Sequence, residues 1–314
     1  MKANVLEIAK DLPDEMFMAV EFNATSADRV AASDYSYWGS TVRTFLRSHL
    51  VKAMIVVVLA LVLFTLSFPL FDKTDPNSVS IRIQDWNQRP SAEHFFGTDY
   101  VGRDIWARVW HGARMSFALA GAVVIFETTL GVILGSIWGF NRSTDAFFFA
   151  LYNTLTNIPS TIYVVLIAYV IRPSFWTVII ALAGRGWIGQ ARWYRNRILS
   201  LREADYNTVS RCLSTPTSRI ISRNIVPHII SLIIMNAALT IPSTIGSEVF
   251  LAFIGIGLPQ EMITLGNLVN QGRSKFLVYP YQMVIPALIL SVITISFYIL
   301  GNRFADASDP RNHV

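Results

Sequence analysis

Apolar and polar positions divide the chain into long greasy runs separated by polar connections. The runs cover residues 53–70, 115–139, 146–170, 175–188, 229–258 and 281–301. A helix needs about 20 apolar residues to cross the hydrocarbon core of a bilayer. The fourth run is short, and it is expected to extend through Gly189 and Ala191 toward Arg192, whose long side chain reaches the interface. Six spans follow, in an all-α polytopic membrane protein with both termini on one side. Composition agrees: 53% of residues are hydrophobic and only 15% charged, against about 25% in soluble domains. The first run lies well inside the chain and is long enough to span, so it does not read as a secretory leader. The single cysteine, Cys212, excludes an intrachain disulfide framework and reads as a small, partly buried residue.

The layout is a polar arm (1–50), a first span (51–71), a loop (72–114), a core of five spans (115–303) containing a polar insert (190–227), and a tail (304–314). In the arm, Val5, Ile8 and Leu12 suit either an amphipathic helix or a disordered segment. Residues 141–145 (NRSTD) and 171–174 (IRPS) are tight polar turns, and Pro159 and Pro242 can kink their helices. Charge sets the orientation. The insert carries Arg192, Arg195, Arg197, Arg202, Arg211, Arg219 and Arg223 against Glu203 and Asp205, whereas the 72–114 loop balances six basic with six acidic residues. The positive-inside rule then places the insert, both termini and residues 141–145 in the cytoplasm. The basic pI near 9.4 is thereby explained by placement rather than by nucleic acid. Glu127 and Glu248 fall inside apolar runs. A charge there costs about 2.5–3.5 kcal/mol on insertion scales, so both are expected in helix packing or along a polar pore.

Within the insert, residues 203–213 suit a helix on which Tyr206, Val209 and Leu213 share one face. Arg202, Asp205, Thr208 and Arg211 lie off that stripe. Thr215 is an expected N-cap with Pro216 at N1, opening a second helix over 216–226 that presents Ile220 and Ile221. Arg219 and Arg223 stand together on another face, and Pro227 marks a restart into the fifth span. An apolar stripe beside a basic surface either lies on anionic lipid or docks into a groove on a partner protein. A tether under a bilayer disfavours nucleic acid.

Residues 187–228 read WIGQARWYRNRILSLREADYNTVSRCLSTPTSRIISRNIVPH. This stretch resembles the cytoplasmic loop of inner-membrane subunits of binding-protein-dependent ABC importers, most of all the C-type permease of the oligopeptide/dipeptide group. Further similarity lies in FGTD (96–99), GRD (102–104), GARMS (112–116), FIGIGLP (253–259), LGN (265–267) and ADASDPR (305–311), so it spans about residues 95–311. The family pattern opens Glu-Ala-Ala and places a glycine four residues on. Here Thr208-Val209-Ser210 and then Ser214 occupy those positions, with Arg211, Leu213 and Pro227 continuing the pattern and Asn224 replacing a frequent histidine.

The resemblance implies the six-helix type I ABC importer permease fold and a non-enzymatic subunit forming half of an oligopeptide pore. It implies that Glu203, Tyr206, Thr208, Val209, Ser210, Arg211, Leu213 and Ser214 couple to an ATPase. Implied partners are a second permease, two ATP-binding subunits, an extracellular binding protein facing 72–114 and 258–280, and a peptide. The chain itself would bind no cofactor, with ATP and Mg used by the partner subunits. The arm at 31–40 is similar to longer arms of Gram-positive members, implying a Gram-positive cell membrane. The same importer class carrying nickel, a glycoside or dipeptides is the first alternative; a self-contained secondary transporter or channel is the second.

Other signals are weak. GRGWIG (184–189) matches a dinucleotide pattern but closes a span, and no G-x-x-x-x-G-K-[ST] occurs. His94 and His111 lack metal-ligand spacing. Asp99, Arg103 and Asp104 read as organisers of a compact external loop, with direct substrate contact as the other possibility.

Overall fold

Helices are the only extended regular elements among the residues that the computed structural model describes, 36–172, 174–259 and 261–309. The expectations for Val5, Ile8 and Leu12, for 31–35 and for the final Pro-Arg of 305–311 lie outside those residues. The chain divides into units 1–42 and 43–314. The described part of the first is the beginning of α1 (Tyr37–Arg47).

In the second unit, α2 (His49–Phe71) is followed by α3 (Ile105–Phe140), α4 (Asp145–Asn157), α5 (Ser160–Val170) and α6 (Phe175–Arg202). A polar hairpin comes next, formed by α7 (Asp205–Cys212) and the short α8 (Thr217–Ile220). Then follow α9 (Val226–Phe253), α10 (Leu265–Arg273) and α11 (Tyr281–Ser308). Four helical stretches are long and apolar enough to cross a membrane: α2, α3, Thr217–Phe253 and α11. The protein is a multi-pass membrane protein.

Several boundaries differ from the sequence expectations, each for a physical reason. The second span begins at Ile105, well before the expected loop end at Arg114. Asp104 caps its N-terminus, accepting from the Trp106 N–H at 2.7 Å. Arg108, inside this helix and only 1% exposed, is neutralised by Asp99 Oδ2. The third run is two helices, because Pro159 breaks it after Asn157. Arg185 of α6 donates to the freed carbonyls of Leu155 (3.3 Å) and Ile158 (3.2 Å). The fourth run extends beyond Arg192 to Arg202, so α6 carries the chain out of the apolar zone without a break. Residues 258–280 contain α10, whose first residues are buried against the bundle.

The most extensive helix contact joins α3 to α6. Gly131, Gly135 and Gly139 recur every fourth residue and so share one face. A Cβ on Gly135 would lie 2.6 Å from the Ala191 carbonyl oxygen, and one on Gly139 would lie 3.0 Å from Ile198 Cβ. Small residues allow this approach in a medium where lipid gives no hydrophobic drive for association. GRGWIG is simply part of α6, and Gly186 there makes room for the Glu127 carboxylate.

At the opposite end from the hairpin, Asp99 organises the loop. It accepts from the Val101 and Arg103 N–H groups (3.0 and 2.9 Å), from Arg103 Nε (2.7 Å) and from Arg108. Gly102 supplies the positive φ, +79°, of this turn. The Thr98 carbonyl accepts from Gln282 Nε2 (3.1 Å) and Tyr281 Oη (3.2 Å), tying the loop to the start of α11.

Gly135→Leu is expected to destabilise the bundle by about 1–3 kcal/mol, the usual range for overpacking. Thermal unfolding in detergent reads the loss. A wild-type transition would contradict the close α3–α6 contact.

Candidate partner-docking hairpin

The hairpin is held against the bundle by an apolar cluster and by buried amides. Ile220 and Ile225 are buried with Tyr194, Ile198 and Ile229. Ile220 therefore faces the core, and the expected outward presentation of Ile220 is corrected. It packs inward because α8 is a single turn followed by a π-helical segment, Ile221–Ile225, that merges into α9. No restart occurs at Pro227. The wider turn, with the Val226 N–H bonding to the Ile221 carbonyl, admits a proline that cannot donate to the residue four positions back.

Asn207, fully buried, donates from Nδ2 to the Leu201 carbonyl (2.9 Å) and accepts from Asn224 Nδ2 (3.0 Å). This amide pair cross-links the two arms, and the sequence pattern did not reveal it. Asn207 interrupts the polar face without any periodic signal. Its partner seventeen positions away in sequence is brought close only by folding.

Arg202 ties the hairpin to α3. Its Nη1 donates to the Gly139 carbonyl (3.1 Å), and its Nη2 to Glu203 Oε1 (2.8 Å). The Arg202 hydrogen bond, aided by the charges of Arg142 and Arg211, holds the Glu203 carboxyl below the usual carboxylate range. Arg211 donates to the Arg202 carbonyl (3.3 Å) and to Thr208 Oγ1 (3.1 Å). Ser210 Oγ donates to the Tyr206 carbonyl (2.8 Å).

The outer surface is apolar where the sequence placed the stripe: Tyr206, Val209 and Leu213 are 45%, 57% and 75% exposed. The Tyr206 ring stacks on His228, with centroids 6.0 Å apart at 22°. Arg211, Arg219 and Arg223 are exposed alongside. Cys212 is exposed rather than partly buried, because the buried side of α7 is taken by Asn207.

Ser214 adopts a left-handed φ of +56° in the turn, at the position where the family pattern has glycine. Thr215 does not cap. Pro216 occupies the N-cap position, and its carbonyl accepts from the Arg219 and Ile220 N–H groups.

The eight expected coupling residues, Glu203 to Ser214, thus lie together on this hairpin. The other expected site residues lie elsewhere. Glu127 accepts from Gln190 Nε2 at 2.9 Å between α3 and α6. Glu248, 1% exposed, accepts from Thr264 Oγ1 at 2.5 Å, linking α9 to the cap of α10. Asp99, Arg103 and Asp104 are in the loop before α3, where Asp104 also meets His94 Nδ1 at 2.9 Å. His111 instead packs edge-on against Phe68. Among the described residues, no group of three or more His, Cys, Asp or Glu could hold a metal ion.

The hairpin is thus braced from behind, with its apolar stripe exposed in this chain. Comparison with known proteins identifies the class. Residues 130–314 match the model of the family described as "Binding-protein-dependent transport system inner membrane component". The chain is 35% identical over 302 residues to the oligopeptide transport system permease protein AmiD of Streptococcus pneumoniae, covering 95% of this chain and 98% of that protein. It is 31% identical to the oligopeptide permease OppC of Bacillus subtilis (96% and 99% covered). Identity is 30% to the dipeptide permease DppC of the same organism (96% and 94% covered). The chain belongs to this family of binding-protein-dependent inner-membrane transport components.

Ser214→Gly is expected to stabilise the protein by up to about 1 kcal/mol, the scale of left-handed strain relieved. Thermal unfolding should move upward. A drop in stability would mean that the Ser214 side chain contributes more than its backbone strain costs.

Proposed function

We propose that this chain is a permease subunit of an ATP-driven peptide importer, with oligopeptides as the solute and a second permease completing the pore. Two relatives above 30% identity are named for oligopeptide transport, and both align along nearly their whole length. In this reading the broken α4–α5 pair and α6 add two spans to the four long helices. The arginine-rich hairpin and both termini lie in the cytoplasm. Residues 51–71 begin the membrane part and 115–303 form its core. A binding protein delivers peptide to the opposite face, where Asp99, Arg103 and Asp104 shape the loop. Two ATP-binding subunits hydrolyse ATP with Mg, and this chain performs no chemistry of its own. Glu127 and Glu248 act as buried polar links between helices.

The observation that carries the proposal is the exposed stripe Tyr206–Val209–Leu213 on a hairpin braced from behind. A groove in an ATP-binding subunit that receives this stripe can push on it. Arg202 and Asn207 pass the displacement to α3 and α6, which biases the bundle between inward- and outward-open states. Glu203, Thr208, Ser210, Arg211 and Ser214 hold the stripe in register for that contact.

Leu213→Asp places a charge in the proposed groove. The variant is expected to insert at normal level, to lose ATP-binding subunits in a mild-detergent pull-down, and to lose transport at least tenfold. Normal transport and co-purification would remove the stripe from coupling. Isolation of the unaltered chain alone, with solute flux in liposomes independent of ATP, would overturn the importer assignment.

A further inference from the structure

The end of the bundle that carries the hairpin also holds a cavity of about 310 Å³. Ligand sites usually begin at about 300 Å³. Trp138, Arg142, Asp145, Arg195, Leu199 and Arg202 line it, so it lies where the end of α3, the start of α4 and the last turns of α6 meet. Three arginines against one carboxylate is an unusual lining for a protein whose charged groups are otherwise matched.

The pairing inside the cavity leaves positive charge over. Asp145 Oδ1 accepts from Trp138 Nε1 (2.7 Å) and from Arg195 Nε and Nη2 (3.0 and 2.5 Å). Arg202 is taken up by Glu203 and the Gly139 carbonyl. Arg142 differs. Its side chain is 83% exposed, and its one bond is a 3.5 Å contact with Glu203 Oε1, so most of its five N–H groups are open. A fourth arginine, Arg192, stacks 4.2 Å over the ring of Tyr152, which itself neighbours Trp138. Four arginines thus stand against Asp145 and Glu203 in this corner. The Arg195 and Arg202 side chains are largely withdrawn from water, where an uncancelled charge favours an anionic partner.

The position of the cavity says which anion. It lies at the ends of apolar helices, and beside it the first turns of α4 expose Ala146, Phe147, Phe149 and Ala150. A cationic cavity bordered by an exposed apolar helix start, at the level where a span leaves the membrane, matches a phospholipid in both of its parts. A soluble anion would use the arginines and leave the apolar border idle. We propose that this cavity binds the phosphate group of an anionic phospholipid, with Arg142 as its open donor and the acyl chains along the start of α4. Guanidinium groups suit a phosphate because their paired N–H groups match two of its oxygens at once. A headgroup held there bridges α3, α4 and α6 beside Arg202. The site concerns the lipid around this chain and is independent of the solute carried.

The test uses the full-length protein, with any subunits that copurify, in nanodiscs of phosphatidylcholine alone or mixed with phosphatidylglycerol. Arg142→Glu and Arg142→Lys alter the open donor at an exposed position, so the packed bundle is left intact. Arg197→Glu, also exposed but outside the cavity lining, controls for net charge. Native mass spectrometry reads the lipid retained on release, and thermal unfolding reads its effect. The unaltered protein and Arg197→Glu are expected to retain phosphatidylglycerol severalfold over phosphatidylcholine and to unfold several degrees higher with it. Arg142→Glu is expected to lose both effects and Arg142→Lys to keep most of each. Inorganic phosphate added to phosphatidylcholine discs is expected to give no such rise. Equal retention by the unaltered protein and Arg142→Glu would overturn the proposal, as would an equal loss in Arg197→Glu, the mark of unspecific attraction. A full rise with inorganic phosphate alone would put a soluble anion in the cavity and overturn the lipid assignment.

Discussion

Two helices that carry side chains all around normally pack with their axes 8–10 Å apart. On α3, Gly131, Gly135 and Gly139 remove the side chains from one face, and α6 settles against the backbone there. The rest of the polar end depends on this contact. It brings the Gly139 carbonyl within reach of Arg202, at 3.1 Å, at the point where α6 leaves the apolar zone. From Arg202 the hairpin is held through Glu203, Asn207 and the Ile220–Ile225 cluster. A force applied to the outer stripe therefore meets a braced structure.

Charged residues inside or bordering the apolar helices are each matched by a specific partner. Arg108 is matched by Asp99, and Arg185 by the open carbonyls of a broken helix. Glu127 is matched by Gln190 and Glu248 by Thr264. In each case a group too costly for lipid joins two elements that would otherwise have little reason to stay in register.

Much of this was legible in the chain itself. Apolar periodicity marked the greasy segments and the shared face of Tyr206, Val209 and Leu213, while Pro159 was expected only to kink a helix that it in fact divides. Arginine clustering singled out the hairpin. All of these are local properties, set by side-chain size, charge and backbone preference within a few residues. Single-sequence patterning failed where distant partners decide. Arg108 looked like a loop residue until Asp99 neutralised it, which moved the start of α3 back to Ile105. Ile220 looked outward until the π-helical turn joined α8 to α9 and directed it into the core.

What the sequence alone determined is a chain that must live in a membrane and carry one polar, arginine-rich hairpin, because hydropathy and charge act residue by residue. Tertiary structure alone decided how that hairpin is braced, through Asn207 with Asn224 and Arg202 with Gly139. It also decided that the first residues of α10 are buried. Each of these depends on pairing between groups far apart in the chain. No local pattern encodes such pairing, because its energy exists only once the helices have met.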